Sequence, residues 1–229
     1  MKRQDIPRID GKLRKVSLRI PGAIYRCSGI VVFGRRIKSL VFTTDLAIIR
    51  NINADAILAV YPFSPQPVIN QALLSAAEIP VFTGIGGGLT KGERVIRLAS
   101  FAEMQGAAGV VVNVPTAPEV IHQIAANIDI PVVVTVARWE ERVIDQIEAG
   151  VSIVNVAGAG ATPQIIQEVR KRYPEIPIIA SGGTTDESIY ATIEAGANAI
   201  TWTPPSSKDI FASIMKAYRE GRGYPGDDH

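Results

Sequence analysis

From Arg36 onward, short β-branched and apolar runs alternate with longer stretches in which apolar residues recur at roughly i, i+3, i+4 and i+7. The runs cover 37–44, 56–63, 80–85, 109–114, 131–136, 152–156, 177–180 and 199–203, and each predicts a strand. The stretches at 68–77, 93–105, 118–128, 140–149, 163–172 and 186–195 predict amphipathic helices between them. Strands that are hydrophobic throughout, separated by helices, imply a parallel sheet buried on both faces.

The joints repeat as well. Gly106, Gly150 and Gly196 stand where a helix ends and a strand begins, as a C-cap requires. Pro80, Pro131 and Pro177 open strands, where a missing N–H costs little. Eight such units predict an α/β fold closed as a (β/α)8 TIM barrel. An open doubly wound sheet usually stops at about six strands and carries a glycine fingerprint after the first, and here that turn reads Thr43-Thr44-Asp45. The expected organisation is an N-terminal extension at 1–35, a barrel at 36–220 and a frayed tail at 221–229. The extension is read as a short helix and strand that close the barrel floor or contact another subunit.

Composition narrows the class. The chain has 229 residues, 47% hydrophobic and 20% charged, enough for one large domain with a sizeable core. No apolar run reaches the length of a membrane span and the N-terminus lacks an apolar signal core, so a cytoplasmic protein is expected. The single cysteine, Cys27, has no companion for a disulfide or a thiolate metal site. The net charge of +2 hides an asymmetry: residues 1–38 hold eleven Lys and Arg against Asp5 and Asp10, a local +9 that leaves −7 on the remainder. Leu18, Ile20, Ile24 and Ile30–Phe33 make this segment too apolar for a free basic tail. Docking on the chain's own body or on a second copy is therefore expected ahead of nucleic-acid binding.

The strongest local motif is Ile178-Ile179-Ala180-Ser181-Gly182-Gly183-Thr184, a buried strand running into a glycine turn that opens a helix, with Ala195-Gly196-Ala197-Asn198-Ala199-Ile200 downstream. Such a turn presents backbone N–H groups and the positive end of a helix dipole to an anion. The motif resembles the seventh and eighth units of the phosphate-binding TIM barrels, the ribulose-phosphate-binding type, which include tryptophan and thiamin pathway synthases and flavin-binding barrels. The resemblance implies a small phosphorylated ligand held by the loops after strands six to eight. It assigns phosphate contacts to Ser181, Gly182 and Gly183, with Gly158 and Gly160 on the adjacent loop. One departure stands out: the eighth strand exits through Thr203-Pro204-Pro205-Ser206-Ser207 without the second glycine of the usual phosphate cup. Ser206 and Ser207 are expected to supply hydroxyl and helix-start donors instead, and FMN is disfavoured, so no cofactor is predicted.

In such a barrel the site lies at the C-terminal ends of the strands. Those ends are rich in hydroxyls, amides and glycines and poor in acids and bases. Asp45 is the only carboxylate there, readable as a general base or as a helix N-cap before Leu46. Lys91, in the glycine-rich loop 84–92, is a candidate mobile cation for anion capture or proton transfer, in a loop that could also serve as a lid. Substrate contacts are assigned to Thr43, Thr83, Gly86, Gly87, Asn113, Arg138, Asn155, Thr201 and Thr203. Strand alternation puts Thr201 and Thr203 on one face and Trp202 on the other, so Trp202 is read as outer core. His122 falls mid-helix and no ligand cluster accompanies it, so no metal is predicted.

Three functions are compatible with these residues. The first is a lyase, isomerase or synthase of a phosphorylated metabolite. Schiff-base chemistry is disfavoured because Lys38 stands at the wrong end of the first strand. The second is a non-catalytic phosphometabolite sensor that signals through the basic segment, which an acid-poor site would suit. The third is an FMN-dependent oxidoreductase, weakened by the missing glycine, while an uncharacterised-hydrolase reading has no nucleophile triad or metal centre behind it. A homo-oligomer is expected, and no membrane partner.

Overall fold

The computed structural model describes residues 18–223. Residues 1–17 of the basic extension and 224–229 of the tail lie outside the described residues.

The chain forms a closed barrel of eight parallel strands with a helix after each. In chain order these are β1 (Ser39–Phe42), α1 (Leu46–Arg50), β2 (Ala56–Ala59), α2 (Pro67–Ala76), β3 (Val81–Gly86), α3 (Glu93–Met104), β4 (Gly109–Asn113) and α4 (Pro118–Asn127). The second half comprises β5 (Val132–Val136), α5 (Glu141–Glu148), β6 (Ile153–Val156), α6 (Thr162–Arg172), β7 (Ile178–Ser181), α7 (Asp186–Glu194), β8 (Ala199–Trp202) and α8 (Ser207–Arg219). Each strand pairs with its sequence neighbour, and β8 closes on β1 with Thr201 opposite Leu40. The fold is the TIM barrel that the eightfold alternation predicts.

Alternation along each strand sorts the side chains into two cores. Leu40, Leu58, Phe82, Val111, Val133, Ile153, Ile179 and Ala199 fill the barrel interior. Their neighbours Val41, Ile57, Val81, Val110, Val132, Val154, Ile178 and Ile200 pack outward against the helices, with Trp202 beside them. Interior volume is matched locally. A Cβ on Gly109 would stand 2.5 Å from the Phe82 ring, so the glycine of β4 makes room for the largest side chain of β3.

The N-terminal part differs in detail from the expected single strand beginning at 37. Residues Gly22–Arg26 form a 3-10 turn, and Ile30–Val32 pairs antiparallel with Arg35–Ile37 as a hairpin. Phe33 and Gly34 both have positive φ, 47° and 77°, the two-residue geometry that suits a hairpin's twist. Ile30 and Ile37 join the interior core, so the hairpin plugs the barrel floor. The barrel strand proper then starts at Ser39, where Asp55 accepts the amides of Lys38 and Ser39 at 2.9 and 3.0 Å. Cys27 is buried beneath this segment, and burial pushes its thiol up to about 11 against the opposing pull of Lys38, so it stays protonated and unreactive at neutral pH.

Candidate functional site

Because interior positions alternate, each strand delivers one residue to the layer above the apolar core. On β4 to β8 these are Asn113, Thr135, Asn155, Ser181 and Thr201, with Thr203 just beyond. On β1 and β2 they are Phe42 and Val60. Together with Leu58 and Ala157 they line a cavity of about 280 Å³ at the C-terminal mouth. The wall is therefore polar on one half and apolar on the other. It carries no ionisable side chain.

Two of its polar groups are conspicuously short of partners. Asn155 is 4% exposed and donates to the Thr135 hydroxyl at 3.1 Å, yet its Oδ1 has no partner among the described residues. Thr201, 7% exposed, has an equally unpaired Oγ1. A buried polar atom left unpaired costs about 1–3 kcal/mol; Thr83, Thr116 and Gln146 carry such atoms elsewhere, and here two belong to side chains that line one cavity, within reach of an incoming molecule after a small rearrangement.

A second cleft of about 200 Å³ opens beside the first, sharing Val60 and Asn113 with it. It runs between the loop after β2, with Tyr61 and Phe63, and the loop after β3, with Gly86, Gly88, Leu89 and Thr90. The β3 ladder shifts register between Gly84 and Gly86, which redirects the chain there. The Tyr61 hydroxyl accepts the Gln66 amide at 2.9 Å, bracing the first loop. Gly87 donates to the Thr90 carbonyl at 3.0 Å and Thr90 is buried, so the glycine-rich loop forms a tight turn with Leu89 at its tip.

The remaining sequence candidates scatter. Lys91 lines a separate small pocket with Gly87, Pro115 and Thr116, away from the mouth cavity. Gly87 is needed for close packing: a Cβ there would stand 2.9 Å from the Asn113 amide and strike the Thr116 hydroxyl. Thr83 is fully buried between Phe82, which points inward, and Gly84. Alternation therefore turns it toward the helices, and it touches neither cavity. Thr43 follows β1, where its hydroxyl accepts the Asp45 amide at 3.1 Å, and Phe42 takes the cavity position instead. Arg138 is exposed on the rim after β5.

Asp45 serves as the N-cap of α1, its Oδ1 accepting from Ala47 at 2.8 Å and Ile48 at 3.2 Å. The Ser207 hydroxyl, and then the amides of Ile48, Ala47 and Ser207, hold its carboxyl below the ordinary value, against some desolvation. Asp45 thus caps α1 with Ser207 at the start of α8 close by, and a carboxylate so stabilised is a weakened base. Asp45→Ala is expected to cost about 1–2 kcal/mol in urea unfolding at neutral pH. A depressed carboxyl contributes stability above its unfolded pKa near 3.8 and loses it as pH falls through the lower folded value. Wild type and variant should therefore converge in acid; a gap that persists well below that pH would show that the carboxylate is not what stabilises.

The three helix starts proposed for phosphate are not equivalent. Thr185 and Ser188 cap α7 reciprocally, with Asp186 and Glu187 in its first turn. Ser206 and Asp209 do the same for α8, the Ser206 hydroxyl donating to Asp209 Oδ2 at 2.6 Å. Both dipoles are already answered by carboxylates. By contrast α6 has no side-chain cap and no acidic residue in its first turn. Gly158 and Gly182 serve packing, since a Cβ would strike Ile165 at the first and stand 2.7 Å from Ile200 at the second. Gly160 has open space around it, and Gly183 is exposed with φ 79°. The amides of Gly160, Gly183 and Thr184 have no acceptor among the described residues.

Thr135, Phe42 and Val60 are wall residues that sequence reasoning did not single out. The signal for Thr135 was present, because Val133 and Val134 set the parity that places it inward. Among the described residues there is no group of three or more His, Cys, Asp or Glu that could hold a metal, and no helix long and apolar enough to cross a membrane.

No family model and no curated protein matches the chain. Solved structures do. Phosphoenolpyruvate phosphomutase from Streptomyces platensis subsp. rosaceus aligns with a TM-score of 0.62 at 15% identity, over 83% of this chain and 86% of that one. A phosphonopyruvate hydrolase, solved with oxalate and Mg++, gives 0.61 at 15% identity over 86% and 87%. The 4-hydroxy-tetrahydrodipicolinate synthase of Methylacidiphilum fumariolicum SolV gives 0.56 at 17% identity over 80% and 74%. At such identities the likeness establishes the shared TIM-barrel architecture.

Proposed function

We propose that this barrel is an enzyme of lyase, isomerase or synthase type acting on a small phosphorylated metabolite at its C-terminal mouth. The observation that carries the reading is the pair of buried, unpartnered atoms, Asn155 Oδ1 and Thr201 Oγ1, in the wall of the mouth cavity. The metabolite's polar body lies on Asn113, Thr135, Asn155, Ser181 and Thr201. Its phosphate lies toward the start of α6, the one helix start of the three without a side-chain cap or a carboxylate, where the Gly160, Gly183 and Thr184 amides donate. This is a phosphate site of altered form beside the ribulose-phosphate-binding pattern. The fold neighbours, named as a mutase, a hydrolase and a synthase, are in keeping with it.

Within the cavity, amides and hydroxyls would stabilise developing negative charge at fixed positions, which is where such a site does most for a reaction. Proton transfer falls to the rim, where Tyr61 follows the cavity residue Val60, while Arg138, three residues after Thr135, supplies a fixed positive charge. A second reading, a non-catalytic sensor of the same ligand, is favoured by one observation: the cavity wall itself holds no acid or base. Self-association through the floor hairpin, where Val31 and Phe33 stand exposed, accords with either reading.

A thermal-shift screen of phosphorylated metabolites, each paired with its dephosphorylated form, separates the possibilities. The phosphorylated members are expected to raise the melting temperature and their partners to do so weakly or not at all. Equal shifts within every pair would remove phosphate from the reading. Hits incubated with protein and followed by proton NMR should then be converted; binding without conversion of any hit would leave the sensor.

A further inference from the structure

We propose that the ligand is amphipathic, with a hydrocarbon portion, aliphatic or aromatic, lying in the cleft between the loops after β2 and β3 while its polar head occupies the mouth cavity. The inference rests on the reading of the mouth as the ligand site. It names the class of molecule that site takes.

Three observations carry it. The cleft continues the mouth cavity, since Val60 and Asn113 line both. Gly84 lines the cleft in close packing with Val60, where an added Cβ would stand 3.3 Å from the Val60 side chain. The cleft is lined by Tyr61, Pro62, Phe63 and Pro65 on one loop and Leu89 on the other, with Ser64 and Thr90 as further polar residues and no charged side chain. Phe63 is 73% exposed and Leu89 86% exposed. Singly, exposed apolar residues need no explanation, but two of the most exposed ones bordering one cleft that opens onto the polar half of a cavity form a two-ended receptor. The cleft is also braced without a ligand, by the Tyr61–Gln66 bond on one side and the Gly87–Thr90 turn on the other. A hydrocarbon entering it would bury surface from both loops and lose little to reordering them.

The experiment is calorimetric titration of the full chain with two probe series of matched length, ethyl, butyl and hexyl phosphate and the corresponding 1-O-alkylglycerols. In at least one series the affinity is expected to rise with chain length, toward about fourfold per methylene for fully buried carbons. In the double variant Phe63→Ser, Leu89→Ser the rise should flatten, with hexyl affinity falling toward that of the ethyl member and the melting temperature unchanged, because both side chains are exposed. Affinity independent of length in both series overturns the proposal. So does a rise that survives the double variant, since the hydrocarbon would then lie elsewhere. A rise confined to the alkylglycerols upholds the amphipathic ligand and removes phosphate from the proposed function, so the two failures are distinguishable.

Discussion

Replacing Asn155 by leucine is expected to leave the protein folded, with a melting temperature unchanged or higher, while weakening binding of any ligand found at the mouth by at least about tenfold. Asn155 sits on β6 at 4% exposure with its Oδ1 unpartnered. The empty protein therefore bears a desolvated amide oxygen, at about 1–3 kcal/mol, which leucine of similar shape would relieve. The single bond lost runs to the hydroxyl of Thr135, which is partly exposed and can turn to water. For the ligand the balance reverses, because one good hydrogen bond to a desolvated partner corresponds to about tenfold in affinity. Thermal melts and calorimetric titration of the same preparation measure both halves. A variant destabilised by more than about 2 kcal/mol would make Asn155 a structural amide and remove the observation on which the functional reading stands.

At the opposite end of the barrel, Arg170→Ala is expected to lower stability by about 3–5 kcal/mol without altering affinity at the mouth. The Arg170 guanidinium donates to the Gly196 carbonyl at 3.0 and 2.8 Å, to Pro174 at 2.9 Å, to Ile176 at 2.6 Å and to Asn198 Oδ1 at 2.6 Å. Asn198 in turn accepts the Ile178 amide at 2.9 Å and donates to Ser28 at 3.0 Å. One side chain thus joins the end of α6, the starts of β7 and β8 and the N-terminal segment. Burial draws its pKa down and Glu175 partly restores it, so it remains charged and each bond is charge-assisted. Truncation would strand several partly buried acceptors at once. For a domain of this size the loss corresponds to roughly 6–20 °C in melting temperature. Arg170→Lys serves as the sensitive control, since an ammonium cannot span these divergent acceptors. A lysine variant as stable as the wild type would show that the charge, rather than the fork, holds the floor.

The barrel was legible because its signals are local. Continuous runs such as Val110–Val112 and Val132–Val134, amphipathic stretches between them, and glycines at 106, 150 and 196, all with positive φ, are each decided within a few residues. In the floor segment, read as a short helix and one strand, the second strand and the hairpin pairing escaped, because a strand of three residues has too little periodicity and only the Phe33-Gly34 turn separates the two. The mouth was half legible. The parity that placed Thr201 and Thr203 inward with Trp202 outward also places Thr135 inward and Thr83 outward, yet the bulge at the end of β3 hides that count in the sequence.

The number and order of units, the end of the barrel where polar strand tips gather, and the scarcity of acids and bases among them are all written in the linear chain. All of these depend on residue type and short-range period. Tertiary structure alone decided which polar groups are already occupied. Asp45 meets Ser207 because β8 closes onto β1, Arg170 meets Asn198 across α6 and β8, and Asn155 finds only half its partners. Whether an amide, a hydroxyl or a carboxylate is spent on the fold or left for a ligand depends on neighbours far apart in the chain, and those are brought together only when the sheet closes.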